Sequence, residues 1–245
     1  MKRIELIGVE GLPEVGPQDD LGLLISERAK FVAGDIVVVA QKIVSKSEGR
    51  LIKLVDVTAG DDAVRIAERL IAKPDPRMVQ VVLDESVRVL RSERTLITET
   101  RHGFVSANAG VDHSNVGGQD LVALLPVDPD ASARRLRSRL RELTGVEVGV
   151  IVSDTFGRPW RLGIVNVALG VAGIPALNDL RGTVDDAGQP LTATVLAVAD
   201  EIAASAGLVM GKTARTPAVI VRGLQLQGSG SGRDLIRPPT EDLFR

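Results

Sequence analysis

A polar segment with the composition of a ligand-binding site, SDTFGRPWR at 153–161, directly follows the apolar stretch 146–152. A buried strand over 146–152 would hold Asp154 at its end, where a carboxylate can bind a hard divalent cation. Arg158 and Arg161 could each contact phosphate or carboxylate oxygens through two hydrogen bonds. An aspartate that caps a turn, with two surface arginines behind it, has the same pattern, so this segment alone leaves both interpretations open.

A second polar segment, NAGVDHSN at 108–115, follows a predicted hairpin. Asp112 could be a second metal ligand, and Asn115 could bind a nucleotide or its phosphates. A loop without any ligand would have the same composition, and His113 is more typical of a solvated loop histidine than of a ligand.

A third segment, AGLVMGKT at 206–213, nearly matches a phosphate-binding P-loop. That motif requires glycine where this chain has Ala206, and it requires a preceding strand where this chain has a predicted helix. We therefore exclude a P-loop fold. Gly211, Lys212 and Thr213 are still compatible with a phosphate contact of another geometry, or with a glycine that ends a helix and an exposed lysine.

A fourth group combines the loop EGLP at 10–13 with Lys42 and Lys46, which follow the apolar run 36–40. Lysines just beyond a buried strand can neutralise phosphates. They can equally keep a surface segment soluble.

The elements that position these segments follow from hydrophobic periodicity and from glycine and proline breaks. The pattern predicts strands at 4–9, 36–40, 95–100, 104–107, 121–125, 146–152 and 218–221, and a polar segment at 41–50. It predicts one helix that begins after residues 19–20, two helices between 61 and 90, and further helices at 128–145 and 192–206. Some strands arrive in adjacent pairs and others alternate with helices, which favours an α+β fold with mixed, largely antiparallel sheets and packed helices. We expect a single domain over 1–245, with 227–245 flexible or linker-like because of the run GSGSG.

Composition excludes several classes of function. The 245 residues include no cysteine and two histidines, so disulfides, thiolate nucleophiles, cysteine-based metal sites and histidine-rich metal sites are excluded. The net charge of −2 gives no general electrostatic case for nucleic acid, and we rank binding through the arginine-rich helix last. No apolar run has the length of a signal peptide or membrane span, and we expect a cytoplasmic protein.

Taken together, the segments resemble the coenzyme F420-0:L-glutamate ligases, the F420 gamma-glutamyl ligase family. The resemblance rests on EGLP at 10–13, SKSEGR at 45–50, AGVDHSN at 109–115, SDTFGR at 153–158, ADEIA at 199–203 and VRG at 221–223, which occur in the family's order. Several motifs in order are far more specific than any one of them.

The resemblance implies a GTP-dependent ligase that forms an amide (gamma-glutamyl) bond between L-glutamate and F420-0. The reaction would pass through an acyl phosphate and release GDP and phosphate. The resemblance further implies Mg²⁺ or Mn²⁺, a monovalent cation such as K⁺, and an intertwined homodimer.

The resemblance also assigns roles to individual residues. Asp112, Asp154 and Thr155 match metal contacts, and Asp112, Asp154 and Arg158 are the expected catalytic residues. The expected nucleotide contacts are Glu10, Gly11, Leu12, Pro13, Lys46, Asn115, Met210, Gly211, Lys212 and Thr213. Many members have glutamate at the position of Lys212, where it helps to hold a second metal; a lysine there suits a phosphate contact instead.

Position 212 and the ending DLIRPP at 234–239 are similar to the bacterial two-domain version, in which a nitroreductase-like FMN domain follows, fused or as a separate partner. Two alternatives stay open. The protein could be a nucleotide-dependent amide ligase for another carboxylate, or a non-catalytic domain that binds nucleotide or metal.

Overall fold

The computed structural model describes residues 3–113, 118, 120–226 and 228–242. Its strands are β1 (Glu5–Gly8), β2 (Ile36–Ala40), β3 (Leu51–Lys53), β4 (Ser86–Ser92), β5 (Leu96–Thr100), β6 (Val105–Ala107), β7 (Leu121–Ala123), β8 (Gly149–Arg158), β9 (Arg161–Ala172), β10 (Asn178–Asp179), β11 (Val195–Leu196) and β12 (Ala218–Arg222). Its α-helices are α1 (Leu21–Ser26), α2 (Gln41–Ser47), α3 (Asp61–Arg69), α4 (Pro76–Asp84), α5 (Pro129–Thr144) and α6 (Val198–Met210). Short 3-10 helices span Leu54–Asp56, Asn108–Gly110, Gly232–Leu235 and Pro239–Glu241.

The main sheet has the strand order β1-β12-β2-β8-β9, and only the β2–β8 pair within it is parallel. Three smaller antiparallel sheets are formed by β3 with β7, by β4, β5 and β6, and by β10 with β11. This arrangement confirms the predicted α+β fold with mixed, largely antiparallel sheets.

Strand β2 shows why the main sheet lies between two layers of helices. Val37 and Val39 pack into a core with α1 and α5, whereas Ile36 and Val38 pack into a second core with α6 on the opposite face. Successive side chains of a strand point to opposite faces. Both faces are therefore apolar, as the uninterrupted run IVVVA predicts.

A third apolar core lies beneath α3 and α4 and includes residues of β5 and β7. A small fourth cluster consists of Phe104, Leu125 and Leu169, with Phe156, Val167 and Ile236 packed against it. This fourth cluster brings residues of β8 and β9 together with Phe104, just before β6, Leu125, just after β7, and the C-terminal Ile236.

The expected strand over 146–152 is in fact β8, which runs on to Arg158. Asp154 therefore lies inside a strand rather than at its end, and it is the register partner of Val167 in β9. The sequence pattern did not show this because the outer part of β8, 154–158, is mostly polar and carries no apolar run.

The helix expected at 192–206 is also displaced, since α6 spans Val198–Met210 and Gly207 lies inside it. A Cβ atom at Gly207 would lie 3.0 Å from the Asn166 side chain, so this glycine permits close packing of α6 on β9. The glycine serves close contact between the two elements and does not end the helix.

Two further boundaries differ from the predictions. The polar segment at 41–50 contains α2, in which Gln41, Ser45 and Lys46 are buried. The second helix predicted between 61 and 90 ends at Asp84 and is followed by β4, whose partly exposed residues and register shifts obscure the strand period.

The described part of the C-terminal segment, 228–242, packs against the main body although we predicted 227–245 to be flexible or linker-like. The Gly232 N–H and the Ser231 hydroxyl both donate to the buried Asp130 carboxylate, at 2.7 and 2.6 Å. A Cβ atom at Gly232 would lie 2.0 Å from the Leu169 carbonyl oxygen, so glycine here serves close contact rather than flexibility. Within the described residues, no helix is long and apolar enough to cross a membrane.

Candidate active site

The parallel pair of strands, β2 and β8, positions the first two side chains of the site. Their register pairs Ala40, the last residue of β2, with Ser153, so the chain leaves β2 beside Asp154. Helix α2 begins at the next residue, Gln41, and places Lys42 in its first turn. The Lys42 ammonium group is close enough to act electrostatically on the Asp154 carboxyl group.

Asp112 reaches the same site from a separate loop. Its backbone N–H and C=O pair with Ala123 at 3.0 and 2.8 Å, and Ala123 is itself a partner of Leu51, just beyond α2. The preceding residues Asn108, Ala109 and Gly110 have φ values of 52°, 52° and 70°. This left-handed turn is unfavourable for alanine and is held by burial of Ala109 in the third core.

The Lys42 Nζ atom donates to Asp112 Oδ2 at 2.8 Å. This contact joins α2 to the 108–112 loop across 70 residues of sequence. Lys42 thus lies between two carboxyl groups, with one of which it forms an ion pair.

Asp154 lies in surroundings that disfavour its charged form. Alternation along β8 places Asp154 and Phe156 on one face, and the cross-strand partner Val167 shares that face. Both apolar neighbours belong to the fourth cluster.

Burial raises the pKa of Asp154 to about 6, and the nearby Asp112 carboxylate adds to this rise. The Thr155 N–H and the ammonium groups of Lys212 and Lys42 oppose the rise. The structure therefore brings Asp112 and Asp154, distant in sequence, into one electrostatically coupled site.

Thr155 and Lys212 lie beside this pair. The Lys212 Nζ atom donates to the Thr155 hydroxyl at 2.6 Å. Alternation along β8 directs the Thr155 side chain away from the face that carries Asp154, so its hydroxyl and the Asp154 carboxylate do not share a face. Thr155 positions Lys212 in this structure, and its role as a metal contact stays a prediction.

The predicted nucleotide contacts lie in three parts of the structure, and one of them, Lys212, acts electrostatically on Asp154. Lys46 is buried in α2 and forms an ion pair with Glu14, which follows the 10–13 loop. The Arg28 side chain donates to the Gly11 carbonyl at 2.8 Å, and Leu12 packs against the core. These two contacts anchor the 10–13 loop, in which Glu10 and Pro13 are exposed. The third place is the end of α6, where Gly211, Lys212 and Thr213 are exposed.

Three predicted residues occupy other surroundings. Met210 is buried in the core beneath α6, where its sulfur accepts from Asn166 at 3.6 Å. Arg158 is exposed, donates to the Leu162 carbonyl at 2.5 Å and lies four residues beyond Asp154, roughly 13 Å along the strand. Asn115 lies outside the described residues.

Sequence reasoning did not find Glu14, the partner of Lys46, which carries no motif of its own. It did identify Lys42 as a possible phosphate contact from its place just beyond a buried strand, but it did not find the ion pair of Lys42 with Asp112.

The oxygen atoms of the site fit a hard divalent cation. Two carboxylates share partly desolvated surroundings, and a cation would favour their charged forms. Among the residues that the structure describes, no three His, Cys, Asp or Glu side chains form a cluster that could hold a metal. A pair of carboxylates suits Mg²⁺ or a similar ion, which is commonly bound by one or two carboxylates together with water and substrate phosphates.

The chain is similar to known proteins over almost its whole length. Residues 11–223 match the family model described as F420-0:Gamma-glutamyl ligase. The chain is 46% identical to the coenzyme F420:L-glutamate ligase of Methanothermobacter thermautotrophicus over 99% of each chain. It is 47% identical to the ligase of that name from Methanopyrus kandleri and 46% identical to that from Archaeoglobus fulgidus, in both cases over 99% of this chain and 97% of the relative. The chain therefore belongs to the F420-0:gamma-glutamyl ligase family and is a ligase.

Proposed function

We propose that this protein forms a gamma-glutamyl amide bond between L-glutamate and F420-0, with GTP as the third substrate. Relatives that match almost the full chain are named coenzyme F420:L-glutamate ligases. The structural observation that carries the proposal is the coupled pair Asp112 and Asp154, flanked by Lys42 and Lys212. Such a site can neutralise phosphates without any protein nucleophile.

The chemistry needs activation of a carboxylate, which is a poor acyl donor. In the proposed first step a carboxylate oxygen of F420-0 attacks the γ-phosphorus of GTP, and the bond to GDP breaks. The glutamate amine then attacks the acyl carbon, the bond to phosphate breaks, and the amine loses a proton. Each step moves negative charge that nearby cations can stabilise.

Asp112 and Asp154 would hold Mg²⁺ or Mn²⁺, which supplies charge neutralisation to the phosphates. Lys46 and Lys212 would contact phosphate oxygens, and the anchored 10–13 loop would line the nucleotide site. A requirement for K⁺ follows from the sequence resemblance alone.

We also propose that the protein is a homodimer joined through the tip of the β8–β9 hairpin. Trp160, Leu162 and Ile164 near this tip are 79%, 97% and 59% exposed. A cluster of large apolar side chains on a projecting hairpin is typical of a surface that another protein chain covers.

The test incubates the purified protein with F420-0, L-glutamate, GTP and Mg²⁺ or Mn²⁺, and measures product mass and phosphate release. We expect a mass gain of one or more glutamyl residues, with phosphate release only when all substrates are present. Ligation to a different carboxylate in place of F420-0 would favour the other amide ligase. GTP binding without phosphate release in the complete mixture would favour a non-catalytic domain.

A further inference from the structure

We propose that Lys42 is a displaceable counter-ion of Asp112, so that the divalent cation binds tightly only together with the nucleotide. The inference rests on the proposed function, because it concerns how the same site takes up its metal and GTP. It assigns to Lys42 a role in coupling two binding events, beyond a contact with phosphate.

The Lys42–Asp112 contact occupies a predicted metal ligand. Nζ lies 2.8 Å from Oδ2, and the two side chains are 19% and 37% exposed. An ammonium at this distance donates to an oxygen that a divalent cation would need. A cation that enters alone must therefore replace the ammonium or accept its repulsion at short range.

The position of Lys42 is fixed by its helix. Gln41 is buried at the start of α2, and its side-chain oxygen accepts from the buried Ser45 hydroxyl at 2.8 Å. The Lys42 backbone therefore stays beside the carboxyl pair, while its flexible side chain can move the ammonium group to a different acceptor.

Charge balance indicates what would displace it. Among the described residues, Asp112, Lys42 and Lys212 act electrostatically on Asp154, and with both carboxyl groups ionised the charges of these four residues sum to zero. A lone divalent cation would give this group a net charge of +2, and the repulsion from the two ammonium groups opposes its binding. A triphosphate that arrives with the cation offers Lys42 new oxygen acceptors and releases Asp112 to the metal.

The consequence is positive coupling between metal and nucleotide. Because binding free energies are reciprocal, the nucleotide must raise the affinity for the metal by the same factor by which the metal raises the affinity for the nucleotide. Removal of the Lys42 charge should reduce this coupling factor, chiefly because the metal then binds more tightly in the absence of nucleotide.

The experiment measures Mn²⁺ binding by electron paramagnetic resonance, with and without the non-hydrolysable GTP analogue GMPPNP. The variants are Lys42→Gln, Lys42→Arg, which keeps the charge, and Lys30→Gln, an exposed lysine as the matched control. We expect Lys42→Gln to bind Mn²⁺ alone about tenfold more tightly than wild type, and to gain less affinity from the nucleotide. Lys42→Arg and Lys30→Gln should resemble wild type.

Thermal unfolding checks that each variant is folded. If Lys42→Gln loses its fold, Lys42→Met, which keeps the apolar part of the side chain, takes its place in the same assay. If a folded Lys42→Gln or Lys42→Met variant binds Mn²⁺ as wild type does, and wild type carries out the ligation, the inference on Lys42 is overturned and the proposed function stands. Absence of ligation and of nucleotide-dependent Mn²⁺ binding in wild type would overturn the proposed function itself.

Discussion

At the scale of single residues, Asp154 combines a functional position with a cost in stability. Its carboxyl group lies beside Phe156 and Val167 and near a second carboxylate, and its pKa rises from the ordinary 3.8 to about 6. At neutral pH the folded protein therefore holds a charge that its surroundings disfavour. A bound cation would relieve this cost, which links stability to ligand binding.

This environment predicts that Asp154→Asn stabilises the metal-free protein at neutral and alkaline pH. When the pKa of a carboxyl group is higher in the folded than in the unfolded protein, its ionisation destabilises the fold. This destabilisation is absent below the pKa in the unfolded protein, near 4, and is complete above about pH 6. Wild type should thus lose stability between pH 4 and pH 6 relative to the variant, by about 1–3 kcal/mol. Urea unfolding with EDTA at pH 4, 6 and 8 measures the difference.

The exposed Asp186→Asn is the control and should retain the wild-type pH dependence. If Asp154→Asn is less stable than wild type at pH 8, the contacts of the Asp154 carboxylate stabilise the fold by more than its buried charge destabilises it.

At the scale of elements, an ion pair with a buried carboxylate joins the end of β12 to the residue that precedes β2. Arg222 at the end of β12 makes two hydrogen bonds, at 2.8 and 2.7 Å, to Asp35, whose side chain is fully buried just before β2. Removal of one partner leaves a buried charge without compensation, which is far more destabilising than loss of an exposed pair.

Arg222→Met should therefore destabilise the protein by about 3 kcal/mol in urea unfolding. Arg181→Ala, which removes the exposed pair with Asp179, should cause little change. If both variants unfold at the same urea concentration, the buried pair does not hold β12 against β2.

Some of the helices and strands could be predicted from the sequence, and others could not. The uninterrupted apolar run of β2 and the helical apolar period of α5 are found where the pattern predicts a strand and a helix. The pattern missed α2 because this helix buries Gln41, Ser45 and Lys46, polar residues that binary patterning assigns to the surface. It ended β8 too early because the outer part of this strand, 154–158, is mostly polar.

For the site, the motifs identified Asp112 and Asp154 as candidates, but not the contacts between elements. The pairing of Lys42 with Asp112 depends on the bridge between Asp112 and Ala123, on the pairing of Ala123 with Leu51 just beyond α2, and on the left-handed turn at 108–110. All three are properties of the tertiary structure, with weak local signals in the sequence.

At the scale of the whole molecule, the projecting hairpin predicts association. Leu162→Ser combined with Ile164→Ser should convert a dimer into a monomer, because it removes two large exposed apolar side chains from the proposed contact. Light scattering after size-exclusion chromatography measures the mass. The exposed Val55→Ser is the matched control, and a monomeric wild type or an unchanged dimer in the double variant would contradict this assignment.

The proposed function requires that Asp112 and Asp154 act together as the cation site of the ligase. The most direct test is the ligation assay with F420-0, GTP, L-glutamate and Mg²⁺, run on wild type and on Asp154→Asn whose fold has been verified by circular dichroism. We predict that wild type adds glutamate with release of phosphate, whereas the folded variant adds none. Turnover of Asp154→Asn close to that of wild type would contradict the account.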